Sequence, residues 1–341
     1  AAQGITLEIA RLQWPGKGWT RGLKELSDKF PTPQNKWFLL QYTALAWSRR
    51  GFPWRFLRVL RHFKKNGALC AVVFHDAETY FGSRLIDRVR RVVQLHTMRH
   101  AARLADLSVF TIPPDKIPWI TDSSRKTVSI PVGANLPSPE LAWPPTSAQR
   151  AAAPTVAVFS LSEGSVGAAE VKAIAEAVQF AAKRLGPLRL LVLGRNSELA
   201  RSALQIGEGA TRVEVVIHGI RPAHEIVQLL GSSDAMLFVR GPLSARRGSA
   251  IAGIACGLPV IGRAGWETAS PITDAGVVLV SAEQAGGFGP ALLQVLSDAS
   301  FRTQLVERSK QAYQQYFCWQ AIATQFKEAL KKYGPPPVDN Q

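Results

Sequence analysis

Short apolar runs alternate with longer helical patterns along this chain, and the series occurs twice. Trp37–Tyr42 (WFLLQY), Ala68–Phe74 (ALCAVVF), Leu107–Ile112 and Thr127–Pro131 form the first series. Thr155–Phe159, Arg189–Leu193, Arg212–Ile217, Ala235–Val239 and Gly276–Val280 form the second. Each run has strand length and is bounded by turn residues, the mark of a buried strand. Between them lie helical patterns over Pro53–Lys65, Arg84–Ala105, Ala168–Arg184, Ile226–Leu230 and Ala291–Lys332. In the first of these, Phe56, Leu57, Val59, Leu60 and Phe63 alternate with Arg55, Arg58, Arg61, Lys64 and Lys65 at helical spacing, and Gly67 stops the helix. Strands joined through helices lie parallel, with right-handed crossovers. Pro137–Pro154 is rich in Pro, Ala and Ser and reads as a linker. The pattern predicts an α/β chain with two Rossmann-like domains facing a cleft: residues 1–150, linker included, and residues 151–312. A helix over 313–333, dense in aromatics (Tyr313, Tyr316, Phe317, Trp319, Phe326), is expected to return to the first domain. Residues 334–341 are expected to form a disordered tail.

Composition narrows the class. The hydrophobic fraction of 46% can fill two cores, and no apolar run approaches the ~20 residues of a membrane-spanning helix. Cys70, Cys256 and Cys318 lie far apart without metal-ligand spacing, which fits a reducing, cytoplasmic setting and buried thiols. The net charge is +16, and it is unevenly placed. Residues 1–150 carry 23 Lys/Arg against 10 Asp/Glu, and the remainder carries 18 against 15. The N-terminal half should therefore attract an anionic surface or ligand; ordinary solubility charge is the plainer reading of the same numbers. The basic residues sit on amphipathic helices without an aromatic–basic RNA signature, so no nucleic-acid partner is expected.

The chemistry is densest at 239–262, VRGPLSARRGSAIAGIACGLPVIG. A strand runs into a loop, the loop opens a small-residue helix, and Gly257-Leu258-Pro259 ends that helix before another strand. A helix N-terminus presents unpaired N–H groups and a positive dipole end. Arg246 and Arg247 add donor forks suited to phosphate oxygens, beside the amides of Gly248 and Ser249. Small residues from Gly248 to Ala255 let a ligand or a strand come close. Two solvated arginines before a tightly packed helix would show the same pattern. SEGSVG, after the fifth strand, lacks the full Gly-x-Gly-x-x-Gly pattern, and Gly194-Arg195 stands where a nicotinamide site needs an acidic residue.

The ordered set VFSLSEGSVG, LLVLGRNS, VVIHGI, SSDAMLFVRGPLSARRGSAIAGIACGLPVIG and AYQQYFCWQAIATQFKEAL resembles the C-terminal half of retaining GT-B glycosyltransferases. The likeness is to family 4, in a bacterial branch with an Arg-Arg-Gly-Ser loop. WFLLQYTALAWSRRG followed by ALCAVVFHDAE resembles the paired strands of that branch's first half. The resemblance implies transfer of a sugar from a nucleotide-sugar donor to an acceptor hydroxyl with retention, in bacterial glycan or polysaccharide assembly. The donor is a substrate, and neither cofactor nor metal is implied. The diphosphate would fall to Arg246, Arg247, Gly248 and Ser249, with Gly194 and Arg195 nearby. His218 and Gly219 would lie near the base, and Glu163 and Gly164 near the phosphates or sugar. His75, at a strand's carboxyl end beside Asp76 and Glu78, would act at the reacting carbon. A histidine satisfied by backbone, or simple strand-end turns, would account for the same residues.

Three departures accompany the resemblance. Many family 4 members carry two glutamates at positions that are Ser244 and Ala252 here, the second commonly lacking in the Arg-Arg-Gly-Ser branch, and the usual Lys-Gly pair falls on Val166-Gly167. AAQGITLEIARL corresponds to the end of a first loop, with Gly4 in it, and to the first helix, so the first domain is expected to lack its opening strand. These departures leave a degenerate GT-B chain, binding a sugar or a partner without turnover, as the alternative. The acceptor is expected to be a sugar or a lipid-linked molecule. The basic helix 53–65, with Trp47, Phe52 and Trp54 outside, suits peripheral contact with anionic lipid at the inner face of the plasma membrane.

Overall fold

The computed structural model describes residues 6–120, 126–143, 153–204, 213–281, 283 and 286–334. Two compact units result, Ala1–Ile130 with Ala323–Gln341, and Pro131–Ile322.

In the first unit, β1 (Trp37–Tyr42), β2 (Leu69–Phe74), β3 (Leu107–Phe110) and β4 (Thr127–Ser129) pair in parallel in that order. The helix Arg55–Lys65 links β1 to β2 and buries Phe56, Leu57, Val59, Leu60 and Phe63, the stripe its spacing demands. The helix Leu85–Leu104 links β2 to β3 and buries Met98, Ala101 and Ala102 near its end. Aromatic rings fill the core: Phe74 stacks on Phe110 at 4.8 Å, and Tyr42 meets Phe56 edge-on at 5.0 Å. The expected opening helix is displaced. Residues 6–13 have no regular structure, and helices follow at Trp14–Lys17, with Pro15 in its first turn, and Trp19–Lys29. Gly18, at φ 79°, breaks one from the other. Gly4 lies outside the described residues.

The second unit holds β5 (Thr155–Phe159), β6 (Leu188–Leu193), β7 (Val213–Gly219), β8 (Ala235–Pro242), β9 (Val260–Arg263) and β10 (Val277–Val280). They form one parallel sheet in the order β10-β9-β8-β5-β6-β7. The strands alternate between two cores. Met236 and Phe238 of β8 join Ile251, Ile254 and Phe317 on one face, while Ala235 and Leu237 join Ile174, Val178 and Leu292 on the other. β5 lies inside the sheet, and the chain builds outward from it in one direction and then, from β8, in the other.

The boundary between units differs from the expected one. Val132 N–H donates to the Ala245 carbonyl, Ala134 N–H to Phe317, and the Trp143 indole to Ala255 at 2.7 Å. The described part of the expected linker is thus a strap on the second unit. Residues 144–152 lie outside the described residues. Tyr313, Tyr316 and Phe317 also pack on the second unit's core, and the chain joins the first unit only from Ala323. There Tyr333 lies under the Lys126 ammonium. The expected tail over 334–341 falls outside the described residues from 335 onward.

Candidate functional site

In open α/β sheets, ligands bind outside the carboxyl ends of the strands where the winding direction reverses. Here the reversal lies between β5 and β8. The loops that leave β5 and β6 are bonded to each other and to the end of β7. Ser160 N–H donates to the Leu193 carbonyl (2.8 Å), Leu161 N–H to Arg195 (3.0 Å), Asn196 Nδ2 to Leu161 (2.9 Å), and Gly194 N–H to Gly219 (2.7 Å). Gly194 must be glycine for this: its φ is 80°, and a Cβ would lie 2.5 Å from Ser160 Oγ. The buried Glu170 carboxylate accepts from Ser162 N–H (2.7 Å) and Ser162 Oγ (2.6 Å), fixing the β5 loop on the following helix, Gly164–Leu185. Glu163 and Gly164 are exposed at that helix's start, and the Glu163 side chain does not cap it. The exposed Arg195 side chain has no hydrogen bond or ion pair among the described residues. His218, half-buried, lines a cavity of about 510 Å³ with Arg221, Glu225, Gln228, Leu229 and Ser232.

At the end of β8 the loop Leu243–Arg247 is bound to the loop after β9. Leu243 N–H donates to the Arg263 carbonyl, and Thr268 Oγ1 donates to Leu243 at 2.6 Å. Between these bonds sits Glu267, 1% exposed. Its carboxylate accepts from Arg246 Nε and, at 2.6 Å, from Arg247 Nη2. Arg247 Nε donates to the Pro242 carbonyl, and Arg247 Nη1 has no partner among the described residues. Glu267 thus braces both guanidinia at the head of the helix Gly248–Ala255. No side chain caps that helix, and a Cβ added at Gly248 would meet open space. The small residues deeper in the helix serve packing instead: a Cβ at Gly253 would lie 2.5 Å from Met236 Sδ. Ser244 and Ala252 are buried, and Ser244 Oγ has no partner. Among the described residues no three or more of His, Cys, Asp and Glu gather as a metal site would require.

Glu267 and Glu170 were not singled out by the sequence. Glu170 lies on the apolar face of its helix, beside Gly167, Val171 and Ile174, and that position was a usable sign. Glu267 is the first acidic residue after Asp234, so it is the nearest carboxylate following the arginine pair. That was the only sign of it.

In the first unit, His75 directly follows β2, beside Gln41 of β1 and Thr111 after β3. His75 Nε2 is hydrogen-bonded to Gln41 Oε1, and Thr111 Oγ1 donates to the His75 carbonyl at 3.4 Å. Burial holds the imidazole below its ordinary pKa, against the opposing pull of the Asp76 charge. Tyr42 next to Gln41 is buried with its hydroxyl unpartnered, and burial, then Asp76, pushes its phenol up.

No family model matches the chain, and no curated protein matches it by sequence. Solved structures do. A sucrose-phosphate synthase from Thermosynechococcus elongatus superposes with a TM-score of 0.63 at 19% identity, covering 95% of this chain and 80% of its own. A glycosyltransferase from Rickettsia africae gives 0.61 at 14%, covering 98% and 85%. The Anabaena protein HepE, solved with UDP and glucose, gives 0.58 at 15%, covering 92% and 82%. The fold is that of the GT-B glycosyltransferases. At these identities the GT-B likeness speaks for architecture, and the chemistry rests on this chain's own residues.

Proposed function

We propose that the chain is a glycosyltransferase that takes a nucleoside-diphosphate sugar as donor, in the manner of family 4, and transfers the sugar with retention. The observation that carries this reading is the arginine pair braced on buried Glu267 at the sheet's reversal point, beside an uncapped helix N-terminus. Breaking the bond to a diphosphate places negative charge on the leaving group. Fixed positive charge at that point lowers the barrier without reorganisation. In this reading Arg247 Nη1 and the amides of Gly248 and Ser249 meet the diphosphate. Arg195 adds charge from the β6 loop, and the cavity beside His218 and Gly219 takes the base. Glu163 and Gly164 border the phosphates or sugar. His75, neutral at physiological pH, acts at the sugar, and the acceptor is a sugar or a lipid-linked glycan of bacterial polysaccharide assembly.

The test is calorimetry of the purified chain against UDP, GDP, ADP and their sugars, followed by donor hydrolysis and transfer assays. Micromolar binding of one diphosphate with turnover of its sugar supports the reading. No binding of any of them rejects it. Binding without hydrolysis or transfer selects the second reading, a GT-B chain that binds without turnover. The burial of Ser244 and Ala252, at the positions where many family 4 members carry glutamates, favours that second reading.

A further inference from the structure

The start of the helix Leu85–Leu104 carries an uncovered apolar face. Phe81 is 70% exposed, Leu85 78%, Val89 52% and Val92 67%, and Tyr80 and Ile86 extend the patch. Leu85, Val89 and Val92 recur at helical spacing, so they form one stripe. Soluble surfaces carry such residues singly; a contiguous run marks an interaction site. The stripe is firmly based. Gln94 Nε2 donates to the Gly51 carbonyl and Gln94 Oε1 accepts from Tyr80 N–H, while Arg90 Nε holds the Arg50 carbonyl.

The exposed charges on the first half of this helix are all positive. Arg84, Arg88 and Arg91 are exposed and have no ion pair among the described residues, and the Arg91 guanidinium lies 5.2 Å from the Phe81 ring centre. Asp87 is the single acidic residue of the segment 79–105. It is buried and held by Arg90 at 2.6 Å and by the Arg84 amide. We infer that this face docks on an anionic lipid bilayer, with Phe81, Leu85, Val89 and Val92 entering the headgroup region and Arg84, Arg88 and Arg91 meeting lipid phosphates. An apolar stripe flanked by arginines is what interfacial helices present. A second copy fits less well, because a two-fold contact would set these arginines against their own images. The helix Arg55–Lys65, basic as it is, has its apolar stripe buried, and its one exposed ring, Trp54 at the N-cap, lies under the Arg55 and Arg58 guanidinia.

Co-sedimentation of the full chain with vesicles tests this independently of any donor chemistry. Phosphatidylcholine vesicles should bind weakly, and equimolar phosphatidylcholine–phosphatidylglycerol vesicles strongly. R88A/R91A should weaken binding by about 25-fold, at about fivefold per arginine. L85S/V89S should weaken it at least as much, and R58A/R61A on the other helix should stay within about twofold of wild type. All substituted residues are exposed, so unchanged thermal melts confirm the fold of each variant. Equal binding to both vesicle types overturns the proposal, as does an equal loss in R58A/R61A. So does a dimer in light scattering that L85S/V89S dissociates while no variant binds lipid.

Discussion

Arg246 and Arg247 look from the sequence like free cations waiting for phosphate, yet each is already committed to Glu267. The commitment fixes their direction. It also sets the size of two effects. On the proposed reading, removing Arg247 takes away one charge-assisted phosphate contact, worth about 1.5–3 kcal/mol. Arg247→Ala should therefore weaken diphosphate binding about tenfold or more in calorimetry, and unchanged affinity in both Arg246→Ala and Arg247→Ala would leave the loop as scaffold. Removing Glu267 instead takes the shared buried carboxylate from two partly buried guanidinia, and Glu267→Ala should cost about 3–5 kcal/mol in urea unfolding of the full chain. His75 gives a pH signature. Its pKa is lowered in the folded chain, so as pH falls the unfolded chain takes up the proton first. Stability from this group is complete above about pH 6.5. It declines between there and the lowered folded value, then levels off. Thermal melts of wild type and His75→Gln should converge as the pH is lowered through that window; a difference constant with pH would contradict the burial of this imidazole.

The two units share a device at the level of strands. Asp106, immediately before β3, accepts from Cys70 N–H (2.7 Å) at the start of β2 and returns its own N–H to the Cys70 carbonyl (2.9 Å). Asp234, immediately before β8, does the same with Thr155 at the start of β5 (2.8 and 2.7 Å). Each aspartate ties the beginnings of two neighbouring parallel strands, and Asp106 is further held by Lys64 at 2.6 Å. Asp106→Ala should destabilise by about 1–3 kcal/mol, since it strands a buried amide; loss below about 0.5 kcal/mol in urea titration would show that water replaces the carboxylate. The strands themselves were legible, because a buried parallel strand is mostly apolar and these runs were. The pairing of Asp106 with Cys70 was not, since nothing local marks a side chain's partner 36 residues away. The same holds for the strap. Pro137–Trp143 has the composition of a linker, and only the distant Ala255 carbonyl turns it into part of the second unit. Arg246, Arg247, Gly248 and Gly194 could be read from motif and position, while Glu267 is a lone carboxylate in a short loop with no periodicity to expose it.

Across the whole chain, the +16 charge makes anion capture dependent on ionic strength. Raising salt from about 0.1 M to about 1 M shortens the screening length from about 10 Å to about 3 Å. Stopped-flow association of a nucleoside diphosphate should slow markedly over that range while dissociation changes little; a salt-independent association rate would mean that the field does not guide the ligand. On the proposed reading, the bonded loops after β5 and β6, tied to the end of β7, carry a last consequence, for how readily such a protein changes its ligand. Ser160 leans on Leu193, Leu161 on Arg195, Asn196 on Leu161 and Gly194 on Gly219, so no one of these loops moves without its neighbour. Retuning the rim for a different base or sugar would demand concerted replacements in several loops, each harmful by itself. The arrangement makes ligand choice here hard to drift and slow to evolve.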